Sequence, residues 1–209
     1  MGEKSKDIED LEVLYIDYHS KPRNDQAREE IRQYLRHRFE GKLPEAVERI
    51  WDLPKLVLKN PSEIYTELLI EAFDLYLDGY FYSCVAMCGI VGERIIKDEL
   101  RAAVLIKKGN QVGSPDSTAF DQFERLDVSS IARFLNKAEL LSDKAFKAAD
   151  SLGQLRNSYV HARGKDPKAD AISAIKMLHT LIEDTVSIFK DFVELKGGTL
   201  VKKPYALSK

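Results

Sequence analysis

Three neighbouring side chains are suited to holding a phosphate and moving protons. Arg156, Asn157 and His161 lie within six residues in the string LGQLRNSYVHARGKDPK, residues 152–168. Arginine stays charged and offers a rigid fork of donors to phosphate oxygens, whereas histidine takes and gives protons near neutral pH. Cleavage of RNA by its own 2′-hydroxyl needs these two functions and no metal ion. The segment therefore predicts a phosphate-handling site with no metal and no other cofactor.

Further positive charge follows the same segment. Arg163, Lys165 and Lys168 come soon after His161, around the turn at Gly164. Because lysine and arginine neutralise backbone phosphates, we expect these three residues to bind RNA beside the reacting groups. The net charge of the chain is −2, so any attraction to nucleic acid must come from such a local patch.

A bundle of helices should position these residues. Apolar residues recur at helical spacing through most of the chain, and capping residues and glycines separate the runs. The pattern predicts helices over residues 61–77, 81–106, 118–125, 128–140, 142–162 and 167–196. Residues 107–117 are expected to be a loop. We therefore predict an all-α fold, an antiparallel helical bundle in which the motif lies at the end of the penultimate long helix.

Several helix ends carry recognisable signals. Asp127 is expected to cap the helix that follows it, and Asp166 with Pro167 should restart the chain as its final helix. Gly79 and Gly164 should end the helices before them. Small residues fill the first half of the helix that begins at residue 81, and small residues allow a neighbouring helix to approach closely.

The chain is expected to divide into three regions: an N-terminal extension with short helices (1–59), the helical bundle (60–198) and a basic C-terminal tail (199–209). In the extension, a helix over 25–39 should stop at Gly41, and Pro44 should open a second, short helix. Residues 11–18 are apolar and aromatic, and their periodicity leaves strand and helix both open.

Composition excludes several classes of protein. With 209 residues, 44% hydrophobic and 32% charged, the chain has the make-up of an ordinary globular domain. Its two cysteines, Cys84 and Cys88, form no disulfide framework and are interpreted as buried small residues and not as a metal site. The polar N-terminus and the absence of an apolar run of about 18 residues predict a cytoplasmic protein without a membrane span.

The Arg-Asn-x-x-x-His pattern on the penultimate helix of an all-α bundle resembles the HEPN superfamily (higher eukaryotes and prokaryotes nucleotide-binding domain). The string LRNSYVHA is similar to the LRNxxVHG form common in that superfamily. The small-residue helix YSCVAMCGIVGERIIKDEL also resembles the earlier long helix of several HEPN groups. Together the resemblance covers roughly residues 60–195 and leaves residues 1–59 without a counterpart.

The resemblance implies an activity and a set of partners. Many HEPN proteins are metal-independent endoribonucleases of toxin–antitoxin, antiviral or RNA-processing systems, and often dimerise so that two motifs face one cleft. Carried over, Arg156 stabilises the scissile phosphate, His161 transfers protons and Asn157 orients the site. Other members act as non-catalytic nucleotide-binding, RNA-binding or dimerisation modules, so both functions stay open. The implied partners are RNA or a nucleotide, a second copy of the chain, and an antitoxin or operon partner.

Two positions depart from the HEPN pattern. The toxins silenced by AMPylation have a tyrosine two residues after the histidine, where this chain has Arg163, so the resemblance does not carry that regulation. Ala162 replaces the glycine that usually follows the histidine, which is a mild change.

Arg156 and His161 do not share a face of a regular helix. Residues five apart differ by about 140° around the axis, whereas Asn157 and His161, four apart, share a face. A common site therefore requires fraying after Tyr159 or a second chain, which a symmetric dimer would supply. In a purely structural interpretation, His161 caps the helix and Arg156 pairs with a carboxylate.

Two further pairs bear on the motif. Glu93 and Arg94 belong to the helix that should pack beside it, and they are expected either to pair with each other or to support Arg156. Arg32 and His37 repeat the spacing of the motif in a helix crowded with charge and without an asparagine after the arginine. We interpret that second pair as a solvated helix face.

Overall fold

The chain is predominantly helical, as predicted. The computed structural model describes residues 24–56, 58, 64–108, 110–114, 125–161, 163–187, 192–194 and 200–202. In this part of the chain, six helices and four short strands follow one another: α1 (Asp25–Ile50), α2 (Ile64–Leu77), α3 (Phe81–Ala103), β1 (Ile106–Lys108), β2 (Gln111–Gly113), α4 (Val128–Lys137), α5 (Asp143–Val160), α6 (Pro167–Asp184), β3 (Phe192–Glu194) and β4 (Leu200–Lys202). The open choice over residues 11–18 and most of the helix expected over 118–125 lie outside the described residues.

Helix α3 is the central element, because it packs against α2, α4, α5 and α6. Two of its glycines lie against α5. A Cβ atom added at Gly89 would lie 2.6 Å from the side chain of Arg156, and one added at Gly92 would lie 2.7 Å from Leu152. The close approach expected from the small residues is therefore real, and it brings the backbone of α3 directly against the helix that carries the motif.

The core of the bundle is mainly aliphatic. Helices α2 to α6 each contribute fully buried side chains, and the two cysteines of α3 are buried among them. The largest fully buried side chains include Tyr76, Ile95, Ile96, Ile131, Leu135, Leu152, Ile175, Leu178, Leu181 and Ile182. Burial of this many large apolar groups is the main stabilising contribution, at roughly 1.5–3 kcal/mol for each such side chain.

The expected capping residues take their predicted positions. The carboxylate of Asp127 accepts a hydrogen bond from the backbone N–H of Ser130, and that of Asp166 accepts one from Ala169. Gly79 follows α2 with φ +79°, a left-handed conformation that glycine adopts without steric cost. Local signals thus set the helix ends on both sides of the motif.

The N-terminal region differs from the prediction. Helix α1 continues through Gly41 and Pro44, so the two short helices expected here form one helix of 26 residues. A proline removes one intrahelical hydrogen bond, but the residues around Pro44 include good helix formers and the helix continues. By compactness, the chain divides into two units, Met1–Leu43 and Pro44–Lys209.

The final helix is shorter than predicted. Helix α6 ends at Asp184 instead of reaching residue 196, and Val193 lies in strand β3. Thr185 and Val186 follow the helix directly, and β-branched side chains lose rotamer freedom in a helix. Strand β3 pairs antiparallel with β4, which lies in the region expected to be the basic tail. Strands β1 and β2 likewise form a hairpin in the region expected to be a loop.

One buried arginine closes the C-terminal end of α2. Arg49, only 4% exposed, donates hydrogen bonds from Nε and NH2 to the carbonyl oxygen of Leu77 at 2.9 and 2.5 Å. Its NH1 group bonds the carboxylate of Glu45 at 3.0 Å, and its guanidinium carbon lies 5.7 Å from the centre of the Phe81 ring. A cation at a helix C-terminus is favoured by the helix dipole, so this arginine satisfies a carbonyl that the helix leaves unpaired.

Replacing Glu139 by glycine should stabilise the protein by about 0.5–1 kcal/mol. Glu139 follows α4 with φ 59°, and the backbone N–H of Leu140 reaches back to the carbonyl of Leu135, as in a glycine-ended helix. Glycine removes the steric cost of this conformation. Urea unfolding measures the change, with Glu139→Gln as the control for loss of charge. A glycine variant no more stable than the glutamine variant would contradict this account.

Candidate functional site

The guanidinium of Arg156 is held from two sides. Its aliphatic part lies on the backbone of α3 at Gly89, and its NH1 group donates to the carboxylate of Glu93. Its NH2 group donates to Oδ1 of Asn157 at 3.2 Å. The side chain is still 26% exposed, so a ligand can reach it. The result is an oriented and accessible cation.

Glu93 supports this arrangement, as one of the two sequence interpretations expected. Its carboxylate also lies 2.7 Å from Nζ of Lys97, so two cations share it. Burial raises the pKa of Glu93, but hydrogen bonds from Lys97 and Arg156 outweigh burial and hold the pKa below its ordinary value. Glu93 therefore stays charged at neutral pH. Arg94 pairs instead with Asp98 at 3.0 Å, because adjacent residues point about 100° apart around a helix.

His161 lies at the exposed end of α5. It is the C-cap of the helix, and its backbone N–H donates to the carbonyl oxygen of Asn157 at 3.2 Å. Within the described residues, the imidazole ring has no hydrogen bond or ion pair. The residue is exposed, and its contribution to the described fold is made through its backbone.

A pair of tyrosines positions the turn that follows His161. The buried Tyr159 donates a hydrogen bond to Asp170 of α6 at 2.6 Å, and its ring packs edge-to-face with that of Tyr82 of α3, with ring centres 4.8 Å apart. Burial and the bond to Asp170 raise the pKa of the Tyr159 phenol. A Cβ atom at Gly164 would collide with the Tyr159 ring, so this position in the turn accepts only glycine without rearrangement. This cluster was not predicted from the sequence.

A cavity of about 190 Å³ opens beside Arg156, between α3, the start of α4 and one face of α5. Its lining combines apolar, acidic and amide side chains around a helical glycine: Glu93, Leu126, Asp127, Val128, Ser129, Ala149, Asp150, Gly153, Gln154, Arg156 and Asn157. This cavity was not predicted from the sequence either. The one local signal was that residues 150, 153, 154 and 157 share a helix face.

The structure assembles only part of the predicted site in one chain. Arg156, Asn157 and Glu93 are joined by hydrogen bonds, whereas His161 does not line the cavity that they border. Helix α5 continues through Val160, so fraying after Tyr159 does not bring the motif together.

The three basic residues after the motif lie beside the site and not in it. Arg163 and Lys165 are exposed in the turn after α5, and Lys168 is exposed in the first turn of α6. The backbone N–H of Arg163 donates to the carbonyl oxygen of Ser158 at 2.7 Å, which holds the turn against the helix end. Their side chains can therefore contact a long ligand, such as an RNA strand, that extends past His161.

No protein-family model, curated protein or solved structure matches the chain. Among the described residues, His, Cys, Asp and Glu side chains form no group of three that could hold a metal ion. None of the described helices has both the length and the apolar character that crossing a bilayer requires.

Proposed function

We propose that this chain is a HEPN-like, metal-independent endoribonuclease whose site is completed by a second copy of the chain. One observation carries the proposal: Arg156 is oriented by Glu93 and Asn157 and remains accessible, near a helix end at which the ring of His161 is exposed. A histidine needed only as a cap would need no imidazole, because its backbone makes the capping bond.

These side chains can carry out the transfer of a phosphoryl group within RNA. His161 removes the proton from a 2′-hydroxyl, and the resulting oxygen attacks the adjacent phosphorus. The bond from phosphorus to the 5′-oxygen of the next nucleotide breaks, that oxygen takes up a proton from water, and His161 returns its proton to the solvent. Arg156 stabilises the negative charge that builds on the phosphate oxygens. The products are a 2′,3′-cyclic phosphate and a 5′-hydroxyl.

A second chain can supply the histidine that a single chain does not bring to Arg156. Arg156 and His161 are five residues apart on an intact helix, which separates them by about 140° around the axis and about 7.5 Å along it. In a two-fold dimer the same surface occurs twice, so Arg156 of one copy can face His161 of the other. We propose this composite arrangement for the active protein.

A labelled pool of structured RNA, incubated with the protein in EDTA, tests the activity. We expect cleavage that leaves 2′,3′-cyclic phosphate ends. If the folded protein leaves every RNA in the pool intact, or if cleavage stops in EDTA, the proposed activity is wrong.

Mixing two inactive variants tests the composite site. A heterodimer of Arg156→Ala with His161→Ala chains has one site without either residue and one site with both. We therefore expect the mixture to recover up to about a quarter of wild-type activity, since random pairing makes half of the dimers mixed and each has one intact site. A mixture as inactive as either variant alone would show that both residues act from the same chain.

A non-catalytic module that binds RNA, a nucleotide or a protein is the second candidate. The pairing of Arg156 with Glu93 favours it, because a guanidinium that is already paired with a carboxylate stabilises the extra charge of a transition state less than a free one does. The two candidates differ in one outcome. The module would bind labelled RNA through Arg156 without producing cyclic phosphate ends.

A further inference from the structure

The cavity beside Arg156 has the make-up of a nucleobase site. We propose that it binds guanine, and that the guanine belongs to the nucleotide whose phosphate contacts Arg156. The inference deepens the proposed function by naming a base, and it rests on that function for RNA as the ligand. It also predicts that cleavage occurs next to guanosine.

The floor and walls of the cavity suit a flat ring. Gly153 lies in the interior of α5, and a Cβ atom added there would meet nothing within 4 Å, so the groove over it is open. Glycine inside a helix is destabilising, but here it leaves room for a ligand. Leu126 and Val128 add apolar surface to the lining. A base that packs on this surface can turn its polar edge toward the polar lining residues.

The polar end of the cavity presents acceptors. Asp150 accepts a hydrogen bond from the hydroxyl of Ser129 on one oxygen and from the amide of Gln154 on the other, at 2.8 Å. Each carboxylate oxygen can accept two hydrogen bonds, so each oxygen of Asp150 can still accept one more. Asp127 lines the same end, and its carboxylate accepts the backbone N–H of Ser130 at 2.9 Å. A base that binds here must therefore donate hydrogen bonds to these carboxylates.

Guanine is the RNA base that fits this requirement. Its Watson–Crick edge has two adjacent donors, at N1 and N2, which match the two oxygens of one carboxylate. Cytosine and adenine offer one amino group beside an acceptor nitrogen. Uracil places carbonyl oxygens on both sides of its single donor, and these would face the carboxylate unfavourably. Acidic side chains in the cavity therefore select for guanine and against uracil.

The spacing also fits a single nucleotide. Asp150 and Arg156 are six residues apart on α5, which is about 9 Å along the helix axis. Both line the same cavity, and Asn157 lies beside Arg156 at the end away from Asp150. The acceptor and the cation are therefore separated along one cavity, as the donor edge and the phosphate are separated within one nucleotide. The negative phosphate thus meets the cation, and the donor edge meets the carboxylate.

Calorimetric binding of the four nucleoside 3′-monophosphates to the full chain tests the proposal. We expect guanosine 3′-monophosphate to bind about tenfold more tightly than the other three, since a bidentate contact discriminates by roughly five- to 150-fold. Asp150→Asn should remove most of this preference, because its amide presents one donor and one acceptor. Gly153→Leu should fill the cavity and abolish binding without disturbing the fold. Asp74→Asn, an exposed aspartate on α2, is the control for charge and should change nothing.

The outcomes separate this inference from the proposed function. Equal binding of all four nucleotides, or binding of guanosine 3′-monophosphate that survives Asp150→Asn and Gly153→Leu, overturns the guanine site. RNA cleavage without preference for guanosine overturns it as well and leaves the ribonuclease standing. Selective guanosine binding by a chain that cleaves no RNA supports the site and removes the proposed catalysis.

Discussion

Replacing His161 by alanine is expected to lower RNA cleavage by about 10²–10⁴-fold, the usual contribution of a positioned proton-transfer group. The fold should not change, because the ring is exposed and makes no hydrogen bond or ion pair to any described residue. The capping bond to Asn157 is made by the backbone and survives the substitution. Single-turnover cleavage of a labelled RNA measures the loss, and circular dichroism measures the fold.

The chain contains its own matched control. His37 follows Arg32 at the spacing of the motif and is likewise exposed, but it lies on α1, where Arg32 pairs with Glu29. His37→Ala should cleave RNA at the wild-type rate. If His161→Ala is as active as His37→Ala, His161 has no catalytic role. If both variants lose activity equally, the motif at the end of α5 is not what distinguishes the site.

Replacing Arg49 by alanine should lower the free energy of unfolding by about 2–4 kcal/mol. Its guanidinium is buried and bonds the carbonyl oxygen of Leu77 twice. Alanine leaves this carbonyl without its donor, leaves a cavity beside Phe81, and removes the cation from the C-terminal end of α2. Urea unfolding followed by circular dichroism measures the change.

Two further variants serve as controls for the Arg49→Ala prediction. Arg133 is an exposed arginine on α4, and Arg133→Ala should change stability by no more than about 0.5 kcal/mol. Arg49→Lys keeps the charge but loses the planar fork, so its stability should lie between those of the wild type and Arg49→Ala. An Arg49→Ala protein as stable as the Arg133→Ala protein would show that the buried contacts contribute nothing net.

Helix existence was more predictable than helix length. The long helices α2, α3, α5 and α6 all lie where apolar spacing predicted them, and Asp127 and Asp166 cap as expected. The errors concern residues of weak or contrary local preference. Pro44 was expected to open a helix and lies inside one, and the β-branched Thr185 and Val186 follow a helix that was expected to continue.

The candidate site was likewise predicted only in part. The motif at the end of α5 was visible in the sequence because Arg156, Asn157 and His161 are neighbours in the chain. Support of Arg156 by Glu93 was only one of two interpretations of the sequence, since the two residues are 63 positions apart in the chain. The Tyr159–Asp170 bond and the cavity over Gly153 were not visible at all. Both depend on which faces of different helices meet.

The sequence by itself determined a predominantly helical chain, most of its helix ends and the motif at the end of α5. These features depend on residues within about four positions of one another, the range of helical periodicity and capping. Tertiary structure alone decided that Gly89 and Gly92 admit α5, that Glu93 rather than Arg94 meets Arg156, and that a cavity opens beside it. These features depend on the register between packed helices, which is set by the fit of many distant side chains at once.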